Sequence, residues 1–108
     1  RSNFNLQQSI ERFNTVELIH ALTSMLENGL IKENFTVLDL FGGTGAITYI
    51  IKENFPKCVP ICLDLKYHNS WEEIKNKYSD FNFFQIDFFK LEKELQPLNL
   101  DVYQVEII

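Results

Sequence analysis

The seven residues Asp39-Leu40-Phe41-Gly42-Gly43-Thr44-Gly45 constrain the fold more than any other part of the chain. They join two periodicities. Before the glycines, Thr36-Val37-Leu38-Asp39-Leu40-Phe41 is a short β-prone run, the pattern of a strand. After them, Ile47, Ile50, Ile51 and Phe55 recur at helical spacing until Pro56 stops the run. The format then repeats. Val59-Pro60-Ile61-Cys62-Leu63 reads as a second strand ending at Asp64, with Pro60 unfavourable because it removes a ladder donor. Ser70-Trp71-Glu72-Glu73 has the S-x-x-E form of a capping box and predicts a helix to about Tyr78. Asn82–Ile86 reads as a third strand ending at Asp87, Leu91–Leu95 as a helical turn before Pro97, and Asp101–Ile108 as a fourth strand. Strands alternating with helices at these lengths predict an α/β fold with parallel strands and right-handed crossovers.

Upstream, Leu18, Ile19, Leu22, Met25 and Leu26 form an apolar stripe that predicts a helix from Thr15 to about Asn28. Asn14 is its expected N-cap, Glu17 completes a capping box, and Gly29 ends it. Phe4–Phe13 reads as a shorter helix. The expected organisation is therefore a helical segment over 1–35 followed by a β-α unit over 36–108.

At 108 residues, 45% hydrophobic and 23% charged, the chain has the composition of one globular domain or part of one. Its net charge of −5, with Lys52, Lys57 and Lys66 scattered, argues against a main nucleic-acid-gripping surface in this segment. No apolar run is long enough for a bilayer, so no membrane partner is expected. If Cys58 and Cys62 share a strand face they stand about 13 Å apart, too far for a disulfide. With no further Cys or His nearby they make no zinc site, and no metal is expected. They read as core residues of a reduced, cytoplasmic protein. Arg1 in place of an initiator methionine leads us to expect a piece of a longer protein.

In an open parallel sheet, ligands bind beyond the carboxyl ends of the strands. Asp39, the Gly42–Gly45 turn, Asp64 and Asp87 all fall at such ends and should converge on one crevice. Glycine allows a tight turn and close approach of a ligand, and the helix that follows offers free N–H groups. No Lys-Ser/Thr follows the glycines, so the turn is no P-loop. Gly43-Thr44-Gly45-Ala46-Ile47-Thr48 lacks the third glycine of a dinucleotide fingerprint. Asp39 separates the readings further. A carboxylate four residues before Gly43 would repel a pyrophosphate and suits a ligand with an amino group or a sulfonium.

At these positions the sequence resembles the class I S-adenosylmethionine-dependent methyltransferases, whose first motif is an acid followed by x-x-x-G-x-G. The resemblance covers Thr36 to Phe89. It implies a Rossmann-like three-layer sandwich with strand order 3-2-1-4 and flanking helices. It also implies that S-adenosylmethionine is the cofactor. The resemblance places the backbone of Gly42, Gly43, Thr44 and Gly45 against the methionine portion, with Asp39 shaping that pocket and Phe41 among the cofactor-binding residues. Asp64, with Leu65 beside it, faces the ribose; Asp87 and Phe88 face the adenine.

A finer likeness is to nucleic-acid methyltransferases. Asp39-x-Phe41-x-Gly43-x-Gly45 and the upstream Phe13-Asn14-Thr15-Val16-Glu17-Leu18 are similar to adenine-N6 DNA methylases, which implies that Thr15 approaches the cofactor carboxylate. Val16 stands where those enzymes have proline. Their Pro-Pro-aromatic clamp for the target amino group is also lacking in Asp101–Ile108, where Glu106 is the only acid after Asp101. No catalytic residue is assigned, and the chain alone is expected to transfer no methyl group.

The leading reading is thus the cofactor-binding portion of a methyltransferase acting on nucleic acid, either DNA adenine or RNA, gripped through the rest of a parent protein. A non-catalytic methyltransferase-like subunit and a nucleotide-binding oxidoreductase domain are the alternatives. The apolar strand 101–108, unguarded by proline or lysine, is expected to be a sheet edge that pairs with another chain or with a missing half.

Overall fold

A computed structural model describes residues 5–12, 14–87 and 90. In chain order the elements are α1 (Leu6–Arg12), α2 (Val16–Glu27), β1 (Thr36–Asp39), α3 (Ala46–Asn54), β2 (Val59–Asp64), α4 (Ser70–Lys77) and β3 (Asn82–Gln85). The strands form one parallel sheet in the order β1-β2-β3. This is the 3-2-1 part of the expected order; the fourth strand expected at 101–108 lies outside the described residues.

Register assigns the faces. Val37 pairs with Pro60, Asp39 with Cys62, and Cys62 with Phe83. Side chains alternate along a strand, so these residues share one face. Two apolar clusters lie on it. One joins Leu6, Ala46, Cys62, Ile74 and Phe81, with Phe83 packed against them; the other joins Leu22, Val37, Ile51 and Cys58. All four helices contribute, so α1–α4 cover the same face. The opposite face carries Leu38, Ile61, Leu63 and Phe84, and Phe84 is 49% exposed. Among the described residues the architecture is therefore two layers. The third layer of the expected sandwich is not among them.

Pro60 sits inside β2 without breaking it. The Val59 N–H donates to Phe35 O on the β1 side, so the donor that Pro60 lacks would face β3. The β2–β3 ladder begins only at Ile61 and Asn82, one residue later. The missing N–H thus falls ahead of the pairing that would have needed it.

Neither expected capping box forms. The first long helix starts at Val16, with Thr15 at the N-cap and no side-chain cap bond; Asn14 Oδ1 accepts only the Val16 N–H, at 3.3 Å. Before α4 the N-cap is Asn69, and the Ser70 hydroxyl is engaged elsewhere. The end of α2 follows expectation. Leu30 N–H donates to Met25 O and Gly29 N–H to Leu26 O, a Schellman closure. Both cysteines are free and buried, with Cys58 just ahead of β2.

Lys52, one of the scattered lysines of the sequence, is buried. It is 2% exposed, and its Nζ donates to Pro56 O (2.7 Å), Cys58 O (2.8 Å) and Asp80 Oδ2 (2.7 Å). One ammonium group with three donors thus ties the end of α3 to the segments that lead into β2 and β3.

Candidate cofactor crevice

Because β1, β2 and β3 run parallel in register, their carboxyl ends lie side by side. Asp39 closes β1 and Asp64 closes β2; Asp87 follows two residues after β3 ends at Gln85. The Ile86 N–H donates to Asp64 O at 2.9 Å, which carries the β2–β3 pairing up to this edge. Asp39, Asp64 and Asp87 are thereby gathered at one edge, as the sequence predicts.

The chain leaves β1 through a turn held from several directions. Asp39 Oδ1 accepts the Phe41 N–H at 3.2 Å, and the Gly42 N–H donates to Leu63 O at 2.9 Å. The Gly45 N–H donates back to Gly42 O at 2.9 Å, closing the turn. Each glycine is required for a different reason. A Cβ on Gly42 would overlap Cys62 Sγ, so this residue is glycine because the turn lies directly on β2. Gly45 has φ +85° at the N-cap of α3, and a Cβ there would press on Ile74 and the Phe83 ring at 3.0 Å. Gly43 has φ +57°, and a Cβ there would meet no atom within 4 Å. At Gly43, then, the backbone turns beside open space, as close approach of a ligand needs.

Asp64 does more than the sequence reading assigned to it. Its Oδ2 accepts the Gly43 N–H at 2.8 Å, and its Oδ1 accepts the Lys66 N–H at 3.0 Å. The carboxylate therefore braces the glycine turn from the end of the neighbouring strand. An ionised carboxylate offers about four lone-pair sites, so both oxygens can still accept hydroxyl protons. His68 is buried beside it, with Nε2 4.0 Å from Asp64 Oδ1. Under the turn, burial first, and then the charges of Asp39 and Asp64, push the Cys62 thiol well above its ordinary value. Cys62 is a packing residue and no nucleophile.

On the far side of the turn stands the start of α4. Trp71 Nε1 donates to Gly43 O at 2.8 Å, and Ser70 Oγ donates to Thr44 O at 2.7 Å. The sequence offered no sign of either bond, since they span 26 and 28 residues. Locally, Ser70 shows only a capping-box pattern.

Phe41 and Leu65, just past β1 and β2, are 62% and 61% exposed. Two large apolar side chains at the mouth of an acidic strand edge suit a ligand with an apolar ring. Thr15 is half-buried at the N-cap of α2, and none of its hydrogen bonds among the described residues reaches the turn. Phe88 lies outside the described residues. Among the described residues, no cluster of three His, Cys, Asp or Glu could hold a metal ion, and no helix is long and apolar enough to cross a membrane.

The FtsJ-like methyltransferase family matches the sequence over residues 1–108, the whole chain. The chain belongs to that family. No individual curated protein matches it. FtsJ-like methyltransferases are class I enzymes that use S-adenosylmethionine as methyl donor and typically act on RNA, at the ribose 2′ oxygen. The membership agrees with the broad resemblance read from Asp39, Gly43 and Gly45. It moves the finer likeness away from the adenine-N6 DNA methylases and toward RNA, and it sets aside the oxidoreductase alternative. The residues at the strand ends fit the family's cofactor: an acidic edge suits a cationic donor, and Gly43 turns beside open space.

Proposed function

We propose that this chain binds S-adenosylmethionine at the carboxyl edge of β1–β3 and forms the cofactor-holding part of an RNA 2′-O-methyltransferase. The observation that carries the reading is the glycine turn, braced by Asp64 through the Gly43 N–H and left open at the Gly43 Cα. When bound, the cofactor supplies a sulfonium methyl group to the acceptor oxygen. The chain's own residues bind and orient it. Asp39 sits where a carboxylate favours the methionine ammonium and the sulfonium. Asp64 accepts from the ribose hydroxyls while keeping its hold on the turn. Leu65 and Phe41 are assigned to the cofactor's apolar surface and Asp87 to the adenine; Phe88, assigned to the adenine by the resemblance, lies outside the described residues. Thr15 is assigned to the cofactor carboxylate.

RNA is preferred over DNA adenine as acceptor because the family typically methylates ribose. Calorimetric titration with S-adenosylmethionine, S-adenosylhomocysteine and NAD tests the cofactor, with NAD expected to bind weakest. Tighter binding of NAD than of the other two contradicts the reading. Radiolabelled transfer from the cofactor to RNA, to the same RNA carrying 2′-O-methyl groups, and to adenine-bearing DNA tests the acceptor. Transfer to DNA but not to unmodified RNA contradicts the assignment. Tight cofactor binding with no transfer by the chain alone agrees with a cofactor-holding part that has no assigned catalytic residue of its own.

A further inference from the structure

We propose that Ser70 and Trp71 are positioning residues for the cofactor, fixing the peptide planes of the glycine turn from the first turn of α4. The inference rests on the cofactor reading above. In a trans peptide the C=O and the next N–H point in opposite directions. With Gly43 O held by Trp71 Nε1, the Thr44 N–H is directed away from α4. With Thr44 O held by Ser70 Oγ, the Gly45 N–H is directed onto Gly42 O, where it closes the turn. Asp64 fixes the preceding plane through the Gly43 N–H. Three consecutive peptides, the ones on which a ligand at the turn depends, are therefore locked by three side chains from two other elements.

The indole can impose this order because it is itself immobilised. Trp71 is 3% exposed and stacks on Phe83, with ring centroids 4.9 Å apart and planes 15° apart. Phe83 stacks in turn on Phe81 at 4.7 Å and 13°, and Tyr67 meets the indole edge-on at 5.4 Å. Phe83 is also the ring that a Cβ on Gly45 would strike. The stack thus fixes the direction of the Nε1–H bond and makes β3 a support for a turn that follows β1. Without the two donors, Gly43 and Thr44, at a positive-φ hinge, would sample other peptide orientations, and binding would have to select the competent one.

Trp71 is the only tryptophan of the chain. Its emission therefore reports the turn directly, and cofactor titration of the wild-type chain should give a saturable change. Trp71→Phe keeps an aromatic ring in the stack and removes the donor; Ser70→Ala removes the hydroxyl, and Ser70→Thr restores one. Calorimetric affinity for S-adenosylhomocysteine should fall about three- to tenfold in Trp71→Phe and in Ser70→Ala, the size of one net hydrogen bond each. Ser70→Thr should recover it to within about twofold, a rescue that a packing role alone does not give. Thermal melting without ligand identifies the folded variants, so that affinities are compared per folded molecule. Wild-type affinity in both Trp71→Phe and Ser70→Ala, at unchanged wild-type binding, overturns the positioning role and leaves the cofactor reading intact. Failure of the wild-type chain to bind overturns both.

Discussion

The two ends of the sheet are tied by opposite chemistry. At the amino end of β2, Lys52 donates to backbone carbonyls at Pro56 and Cys58 and to the Asp80 carboxylate. At the carboxyl end, Asp64 accepts backbone N–H groups from Gly43 and Lys66. Both groups hold irregular backbone that has no ladder to satisfy it. They differ in what surrounds them. The ammonium of Lys52 spends its three protons on protein acceptors and keeps no donor for a ligand. The Asp64 carboxylate keeps lone pairs in reserve, next to exposed Phe41 and Leu65 and the open side of Gly43. A hollow of about 270 Å³ does lie at the amino end, between Leu26, Glu33, Phe55 and Lys57. Its Lys57 is already paired with Glu33 at 3.0 Å, and no strand-end carboxylate lines it. One end spends its polar groups on the protein; the other keeps acceptors open, as the proposed cofactor site requires.

The comparison is broken most severely at Lys52. Lys52→Met should cost about 2–4 kcal/mol of stability, because two carbonyls and Asp80 lose their donor. Chemical denaturation measures this, and cofactor affinity per folded molecule should be unchanged. A loss of affinity would mean the ends are not independent. Asp64→Ala acts at the other end. It should weaken S-adenosylmethionine binding by about 1.5–3 kcal/mol, through both the ribose contact and the loosened turn. Unchanged affinity by calorimetry would remove Asp64 from the ribose.

Within the turn, adjacent glycines should respond differently. Gly42→Ala drives a methyl into Cys62 and should cost about 1–3 kcal/mol of stability from overpacking. Gly43→Ala meets no protein atom and should cost only the left-handed backbone strain, about 1–2 kcal/mol. Yet Gly43→Ala should weaken cofactor binding, because the methyl projects into the space the ligand uses. Equal stability losses with no affinity change at Gly43 would place the ligand elsewhere.

How much of this was legible follows from the range of each interaction. The strands, the glycine turn and Asp39, Asp64 and Asp87 were readable because periodicity and strand ends are local signals. The braces were not. Lys52 looks like any lysine near a helix end, and its burial depends on Asp80, 28 residues away. Ser70 carries a valid capping-box pattern, but Asn69 takes the N-cap, which leaves Ser70 inside the first turn with its hydroxyl donating to Thr44 O, reachable only after the sheet has formed. Asn14 and Glu17 gave the same false signal at α2, where the cap residue is Thr15. Pro60 is unfavourable in a strand by its chemistry, and only the β2–β3 register shows why it is tolerated. Phe88 and the strand at 101–108 lie outside the described residues.

The smallest expected effect lies away from both ends. On the helical surface, Glu53 accepts from Lys77 Nζ at 2.9 Å and from the Tyr78 hydroxyl. The hydrogen bond from Lys77 first, then those from Tyr78 and Tyr49, lower its carboxyl from 4.5 to about 2. A depressed folded-state value adds stability above pH 4.5 that is lost as pH falls through about 2. Solvent screens so exposed a group, so Glu53→Gln should cost well under about 1 kcal/mol near neutrality. The wild-type and variant stabilities should converge between pH 4.5 and 2. A gap that persists at the acid end would assign the effect to shape and not to charge.

The division between a stabilising end and a binding end is tested most directly by amide chemical shifts during titration of the isotope-labelled chain with S-adenosylhomocysteine. The account predicts saturable shifts at Phe41, Gly43, Thr44, Gly45, Leu65 and Lys66, with Glu33, Lys57 and Asp80 unmoved. Shifts centred on Glu33, Lys57 and Asp80, or none at Gly43 and Thr44 under saturating ligand, would contradict it.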